Sequence, residues 1–184
     1  LKYIGFSEFN LFDKKSDKHE FTLLLEFLPG GNLEDIIQNK PEKLNDTNKL
    51  KTIIGLASAL SELYNKNIIH QNLNSENILF NDKFEPVVSD LLLSIQSTNE
   101  NFMAKVGTPI YMAPELFVED LKFIYSYKTD SYSFGIILYQ ILLLVTSLNV
   151  YPKISNTSKI MQAKFRNYIP ELPDDMHEVF KYLI

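Results

Sequence analysis

Cysteine is absent from the 184 residues, which removes disulfides, thiolate-ligated zinc and a thiol nucleophile from consideration. Histidine is scarce: His19, His70 and His177 stand far apart, so only the fold could gather them into a metal cluster. Arg166 is the only arginine, and 18 basic residues against 23 acidic ones leave a net charge of −5. Such a chain offers no basic patch, the feature that nucleic-acid and anionic-membrane partners require. No basic leader or cleavage site follows Leu1, so no signal peptide is legible, and the start without methionine reads as a piece of a longer polypeptide. An uninterrupted apolar run of the ~20 residues a membrane span needs is also missing. The most apolar segment, residues 127–148, is broken by Asp130, Gln140 and several hydroxyls and reads as a buried central helix. There are no internal repeats and no low-complexity tracts.

What is present is a globular composition. A hydrophobic share of 45% and an aromatic share of 12% argue against disorder. The length suits one domain with a sizeable core. "YIGFSEFNLF" and "FTLLLEF" read as two strands joined by a long solvated loop, "DKKSDKHE". "NLEDIIQNK" fits a short helix capped by Asn32. From Asp46 to Lys66, Leu50, Ile53, Ile54, Ala57, Leu60 and Tyr64 recur at helical spacing and predict an amphipathic helix with that stripe buried, Gly55 being a minor cost within it. "NILF" and "PVVSDLLL", joined by "NDKFE", read as a hairpin. Residues 94–107 are polar and patternless and read as a loop. Two short helical patterns close the chain, one over residues 158–165 and one from Asp175 onward.

Four stretches in order, "LLLEFLPGGNL", "IIHQNLNSENILF", "VGTPIYMAPELF" and "KTDSYSFGIILYQIL", resemble protein kinases, with the flavour of the Ser/Thr and tyrosine-kinase-like groups. The resemblance covers nearly the whole chain. It implies an α+β, protein-kinase-like fold, mainly the helical C-terminal lobe together with the last strands of the N-terminal lobe. The expected organisation is a single truncated domain over 1–184, with 1–28 a remnant of the small lobe and hinge and 29–184 the large lobe.

The resemblance also implies roles. Leu25 falls on the gatekeeper position, Glu26, Phe27 and Leu28 on the hinge that bonds adenine, and Leu79 beneath the ring. Plain core packing explains these apolar residues equally well. His70 matches the histidine that packs and holds the catalytic loop, and Asp130 the aspartate that anchors this loop from the central helix. Asn77 and Asp90 match the two magnesium ligands. Gly107, Thr108 and Glu115 belong to the segment that cradles a substrate Ser or Thr.

Departures from the kinase pattern lie at the chemistry. Gln71 replaces the arginine that pairs with a phosphorylated activation loop. Asn72 replaces the aspartate that accepts the substrate proton, and Asn74 the lysine that steadies the transferring phosphate. An asparagine amide is no base near neutral pH, and losing a positioned base slows a reaction by about 10²–10⁴-fold. Leu91 replaces phenylalanine, a mild change. Leu92 replaces a glycine, and leucine resists the backbone angles glycine permits, so the switch into an active form is expected to be hindered. Thr108 is expected to have lost its aspartate and lysine partners. The Gly-rich loop, the strand lysine and the helix glutamate of the family have no match in the chain, so ATP and Mg²⁺ are expected to bind weakly or not at all.

The expected function is that of a catalytically impaired, pseudokinase-like scaffold or allosteric partner in intracellular, cytoplasmic signalling, with protein partners and no nucleic acid. Two alternatives stand beside it: an active Ser/Thr kinase with a trimmed N-terminal lobe, and an interaction module that binds no nucleotide. The arginine that pairs with the Glu115 position in the family lies in late helices beyond Ile184, and Arg166 comes too early. Glu115 is therefore expected to be exposed, protonated or paired with a substitute lysine. The helix around Ile136–Val145 is expected to lack part of its cover and to favour association.

Overall fold

The computed structural model describes residues 1–9, 19–97, 106–117, 125–151, 156–166, 170 and 172–174. The chain opens with β1 (Tyr3–Phe9) and β2 (His19–Leu25), an antiparallel pair in which Tyr3 faces Leu25 and Ser7 faces Thr22. The ladder runs out to Phe9 opposite His19, so His19 and Glu20, expected in the loop, belong to the strand. The remainder of that expected loop lies outside the described residues. Both faces of the hairpin present large apolar side chains to solvent, among them Phe6, Phe21, Leu23 and Leu25.

Helix α1 (Leu33–Asn39) begins where Asn32 accepts the Asp35 amide at 2.8 Å, and it buries Leu33, Ile36 and Ile37. Helix α2 (Asp46–Asn65) is capped in the same way by Asn45. The helix forms where its periodicity placed it, but the predicted stripe is only half on the core side, with Leu60 buried and Ile53 and Tyr64 packed against the core. Thr52, Leu56 and Leu60 are buried, whereas Leu50 and Ile54 are 55% and 56% exposed. The cause is Gly55. A Cβ there would lie 2.5 Å from Pro86 Cγ, so the glycine admits a close approach of the next hairpin and turns the helix onto that side.

That hairpin is β4 (Ile78–Phe80) with β5 (Pro86–Val88), preceded by β3 (Ile68–Ile69). Leu91–Leu93, expected as a continuation of the strand, form a 3₁₀ turn instead. Within the expected loop, Ile95–Gln96 make a short strand, β6, antiparallel to β3. Helix α3 (Tyr127–Leu143) starts at a capping box of Ser126 and Thr129, and α4 (Thr157–Phe165) starts at Asn156. The pattern expected from Asp175 onward lies outside the described residues. No helix among the described residues is long and apolar enough to cross a membrane.

The main core gathers Leu33, Ile36, Leu56, Leu60, Ile78, Phe80 and Ile137 with Val150 and Tyr151. Ile136, Ile137, Leu138, Tyr139 and Ile141 of α3 are all buried, which corrects the expectation of an uncovered patch there. Side chains from α1, α2 and β4, with Val150, Tyr151 and Ile160, share this core with the helix. The large exposed apolar groups lie on the β1–β2 hairpin, at Phe27, along the outer face of α2, at Leu91–Leu93 and at Leu148 shortly after α3.

Candidate functional site

The site is assembled around the buried carboxylate of Asp130, in the first turn of α3. Its two oxygens accept the backbone N–H groups of His70 and Gln71 at 2.7 and 3.0 Å. These bonds hold Gln71 at φ 66°, a left-handed conformation that lets the chain turn sharply into residues 72–77. Burial pushes the Asp130 carboxyl up, against the pull of the two amides. The buried His70 ring is fixed at both nitrogens. Nδ1 accepts the Asn72 amide at 3.3 Å, so the proton sits on Nε2, which lies 2.9 Å from the Ser89 carbonyl and donates to it.

Asn72 and Asn74 form a neutral network. Asn74 Oδ1 accepts the amides of Glu76 and Asn77 at 2.9 and 3.1 Å and so caps the 3₁₀ turn Ser75–Asn77. Its Nδ2 donates to the Asn72 carbonyl and to Asn72 Oδ1. Asn72 Nδ2 in turn donates to Asp90 Oδ2 at 3.3 Å. Thr108 lacks the aspartate and lysine partners, as expected, and bonds to the asparagines that replace them. Its hydroxyl donates to Asn72 Oδ1 at 3.3 Å and lies 3.5 Å from Asn74 Nδ2, because the asparagines stand where the charged pair was expected and still offer an acceptor and a donor. These distances are at the long end for hydrogen bonds. The capping role of Asn74 was legible in "NSEN", an asparagine ahead of a short turn.

Asn77 and Asp90 meet. Asn77 Nδ2 donates to the Asn72 carbonyl at 2.9 Å and lies 3.4 Å from Asp90 Oδ2, while its side-chain Oδ1 has no hydrogen-bond partner among the described residues. Those two oxygen donors fit Mg²⁺, which takes one or two protein oxygens and completes its shell with phosphates and water. Among the described residues no group of three or more His, Asp and Glu side chains could hold a metal by itself. The left-handed backbone falls on Asp90, φ 59°, and not on Leu92, which lies in the 3₁₀ turn without a positive φ. Leucine at this position is therefore unstrained in this conformation; its side chain is 82% exposed.

Gly30 and Gly31 set the segment that follows the candidate hinge beside β4. The Gly30 amide donates to the Phe80 carbonyl, and the Phe80 amide to the Gly31 carbonyl, both at 2.9 Å. This pairing sets the segment after β2 beside β4, which carries half-buried Leu79. A Cβ on Gly30 would come within 2.5 Å of Phe80, so no larger residue permits the approach. Glu26 and Leu28 are half-buried, Leu25 is exposed at the end of β2 and Phe27 is 87% exposed. The Glu26 amide is bonded to the Lys2 carbonyl at 2.9 Å. Gly107 links the two halves of the site. At φ 109°, its α-carbon lies so near Gln71 that a Cβ would be 2.8 Å from the Gln71 carbonyl. Glu115, in the turn Pro114–Phe117, is exposed.

Two features were missed in the sequence. Both side-chain amide atoms of Gln71 are buried without a partner among the described residues, a loss that desolvation makes unfavourable. Glu34 of α1 accepts Ser75 Oγ at 2.6 Å, Gln140 Nε2 at 3.0 Å and both the amide and hydroxyl of Ser147 at 2.8 Å. It thus ties the catalytic-loop turn to the end of α3 through partners 41 to 113 residues away, beyond any local signal.

The kinase pattern and the geometry agree with the comparisons. The family model for protein tyrosine and serine/threonine kinases matches residues 9–184, and the chain belongs to that family. A Dictyostelium discoideum protein named "Probable serine/threonine-protein kinase" is 31% identical over 168 residues, covering 88% of this chain and 12% of the relative. Dual specificity protein kinase pyk3 of the same organism is 29% identical over 163 residues, again with 88% and 12% coverage. The serine/threonine/tyrosine-protein kinase HT1 of Arabidopsis thaliana is 28% identical, with 89% of this chain and 41% of the relative covered. The chain thus spans a small part of the length of the first of these relatives.

Proposed function

We propose that this chain is a catalytically impaired kinase-like domain that works in intracellular signalling as a scaffold or allosteric partner for other proteins. The observation that carries the reading is the neutral network of Asn72, Asn74 and Thr108. Neither asparagine can hold the substrate proton or supply a cation to the transferring phosphate, and phosphoryl transfer depends on positioning and charge. The matching organisation is one kinase-like domain, with 1–28 from the small lobe and 29–184 from the large lobe. A phosphotransfer assay on the full-length polypeptide tests the reading. Turnover in the ordinary kinase range of roughly 1–100 s⁻¹ would overturn it, and the double change Asn72→Asp with Asn74→Lys should raise the rate.

A second reading concerns nucleotide. The proximity of Asn77 and Asp90 supports a retained, weak site for ATP with Mg²⁺, which when bound would neutralise phosphate oxygens. A thermal shift with ATP and Mg²⁺ that disappears in Asp90→Ala is the expected result, since a ligand of the native state must stabilise it. A null response would favour the nucleotide-free interaction module.

A further inference from the structure

Four consecutive carbonyls, from Pro109 to Met112, lie outside every helix and strand, and each is taken by a side chain. Ser133 Oγ donates to the Tyr111 carbonyl at 2.9 Å. The other three converge on a single atom. Lys164 Nζ donates to the carbonyls of Pro109, Ile110 and Met112 at 3.0, 2.6 and 2.7 Å. An ammonium has three N–H donors, and here all three are used. Lys164 belongs to α4, more than fifty residues downstream, and is 2% exposed. The rings of Tyr132, Tyr151 and Phe117 surround the ammonium at 4.8, 5.7 and 5.9 Å, and aromatic faces attract a cation.

No carboxylate among the described residues pairs with Lys164. The titratable and charged groups nearest it are Tyr132 on α3, Tyr151, the exposed Glu115 whose charge reaches Tyr132, and exposed Lys159 and Arg166 on its own helix and cap. Among the described residues the ammonium is therefore held by backbone dipoles and ring faces. An apolar side chain in its place would leave three carbonyls without a donor, and buried backbone groups are almost always paired.

We infer that Lys164 is a positioning residue for the substrate-groove segment: its ammonium, docked on three carbonyls, sets the path of residues 109–112 and ties them to α4. Its functional meaning rests on the reading of this segment as a protein-binding groove, while the docking is a property of the chain alone and is tested without a partner.

Loss of hydration lowers the Lys164 pKa from 10.5 to about 7. The proton can then be removed by titration, and the neutral amine has two donors for three carbonyls. The experiment is an NMR titration of the full chain, labelled with ¹⁵N-lysine and ¹³C-carbonyl, from about pH 6 to 10.5. The Lys164 Nζ resonance and the carbonyl carbons of Pro109, Ile110 and Met112 should move with one midpoint, below the ordinary lysine value of 10.5. The Tyr111 carbonyl, held by Ser133, should move less. In Lys164→Met the three carbonyl titrations should vanish and amide exchange at Tyr111 and Met112 should quicken at least about tenfold; Lys164→Arg should recover part of the protection. Carbonyls that do not follow Lys164, or native protection in the methionine variant, would overturn the assignment. The titration is read on the native chain, so it decides the matter even if that variant does not fold.

Discussion

Replacing Asn72 with aspartate probes the neutral character of the site directly. In the native chain the Asn72 amide donates to Asp90 Oδ2 at 3.3 Å. The substitution turns that donor into a second carboxylate facing the first. Two unit charges about 4 Å apart repel by ~1 kcal/mol in water and ~4 kcal/mol at the effective dielectric near a protein surface. Both residues are half-buried, which puts the repulsion between these limits, about 2 kcal/mol. The lost hydrogen bond to a charged acceptor adds about 1 kcal/mol, low for its kind because the bond is long. In the other direction, the bonds from Asn74 and Thr108 to the remaining oxygen become charge-assisted and strengthen. The net is a destabilisation of about 2 kcal/mol near neutral pH, or roughly 4–8 °C in Tm for a chain of this size. The loss should shrink at acid pH, where the pair takes up a proton. Millimolar Mg²⁺ should restore more stability to the variant than to the native chain, because a divalent cation neutralises facing carboxylates. Thermal unfolding in EDTA and in Mg²⁺, at neutral and acid pH, reads all three effects. A variant as stable as the native chain in EDTA, with an equal response to Mg²⁺, would refute the view that Asn72 acts as a neutral partner to Asp90.

Asp130→Asn offers one acceptor to two backbone donors and sets an amide N–H against the other, so urea unfolding should show a loss of about 3 kcal/mol; a change under about 0.5 kcal/mol would mean the anchor is dispensable. Gly107→Ala combines a φ of 109° with a Cβ 2.8 Å from the Gln71 carbonyl. It should lose at least about 2 kcal/mol by the same measurement. Gly55→Ala should lose about 1–3 kcal/mol through its clash with Pro86, the opposite of the gain alanine brings to an ordinary helix interior. Lys164 has a folded pKa of about 7, below its value of 10.5 in the unfolded chain, so the unfolded chain binds more protons between those values. Stability should therefore rise with pH above about 7, by at most about 1.4 kcal/mol per unit. It should turn down once unfolded tyrosines ionise near pH 10, since Tyr64 and Tyr111 are pushed up to about 12 in the fold. A pH series of urea unfolding against Lys164→Met, which should lack the rise, checks the sign.

Local chemistry in the sequence was enough for the elements and for the family. Asn32 announces α1, helical spacing announces α2, the interrupted apolar run announces α3, and the turn residues of "NDKFE" announce the β4–β5 hairpin, because such signals act over a few residues. The replacements Asn72 and Asn74 were likewise legible, since the order and spacing of motifs survive without any fold. Contacts between distant segments decided the rest. Which face of α2 is buried depends on Pro86 reaching Gly55, an approach that periodicity does not encode. The pairing of Ile68–Ile69 with Ile95–Gln96 joins two-residue strands too short to have a pattern. Thr108 kept its bonds because asparagine at 72 and 74 still presents an acceptor and a donor, a matter of geometry and not of residue class. Lys164 reads in the sequence as an ordinary charge on a helix; only the tertiary structure buries it, because the carbonyls of residues 109–112 needed donors and no nearby residue was in position to provide three.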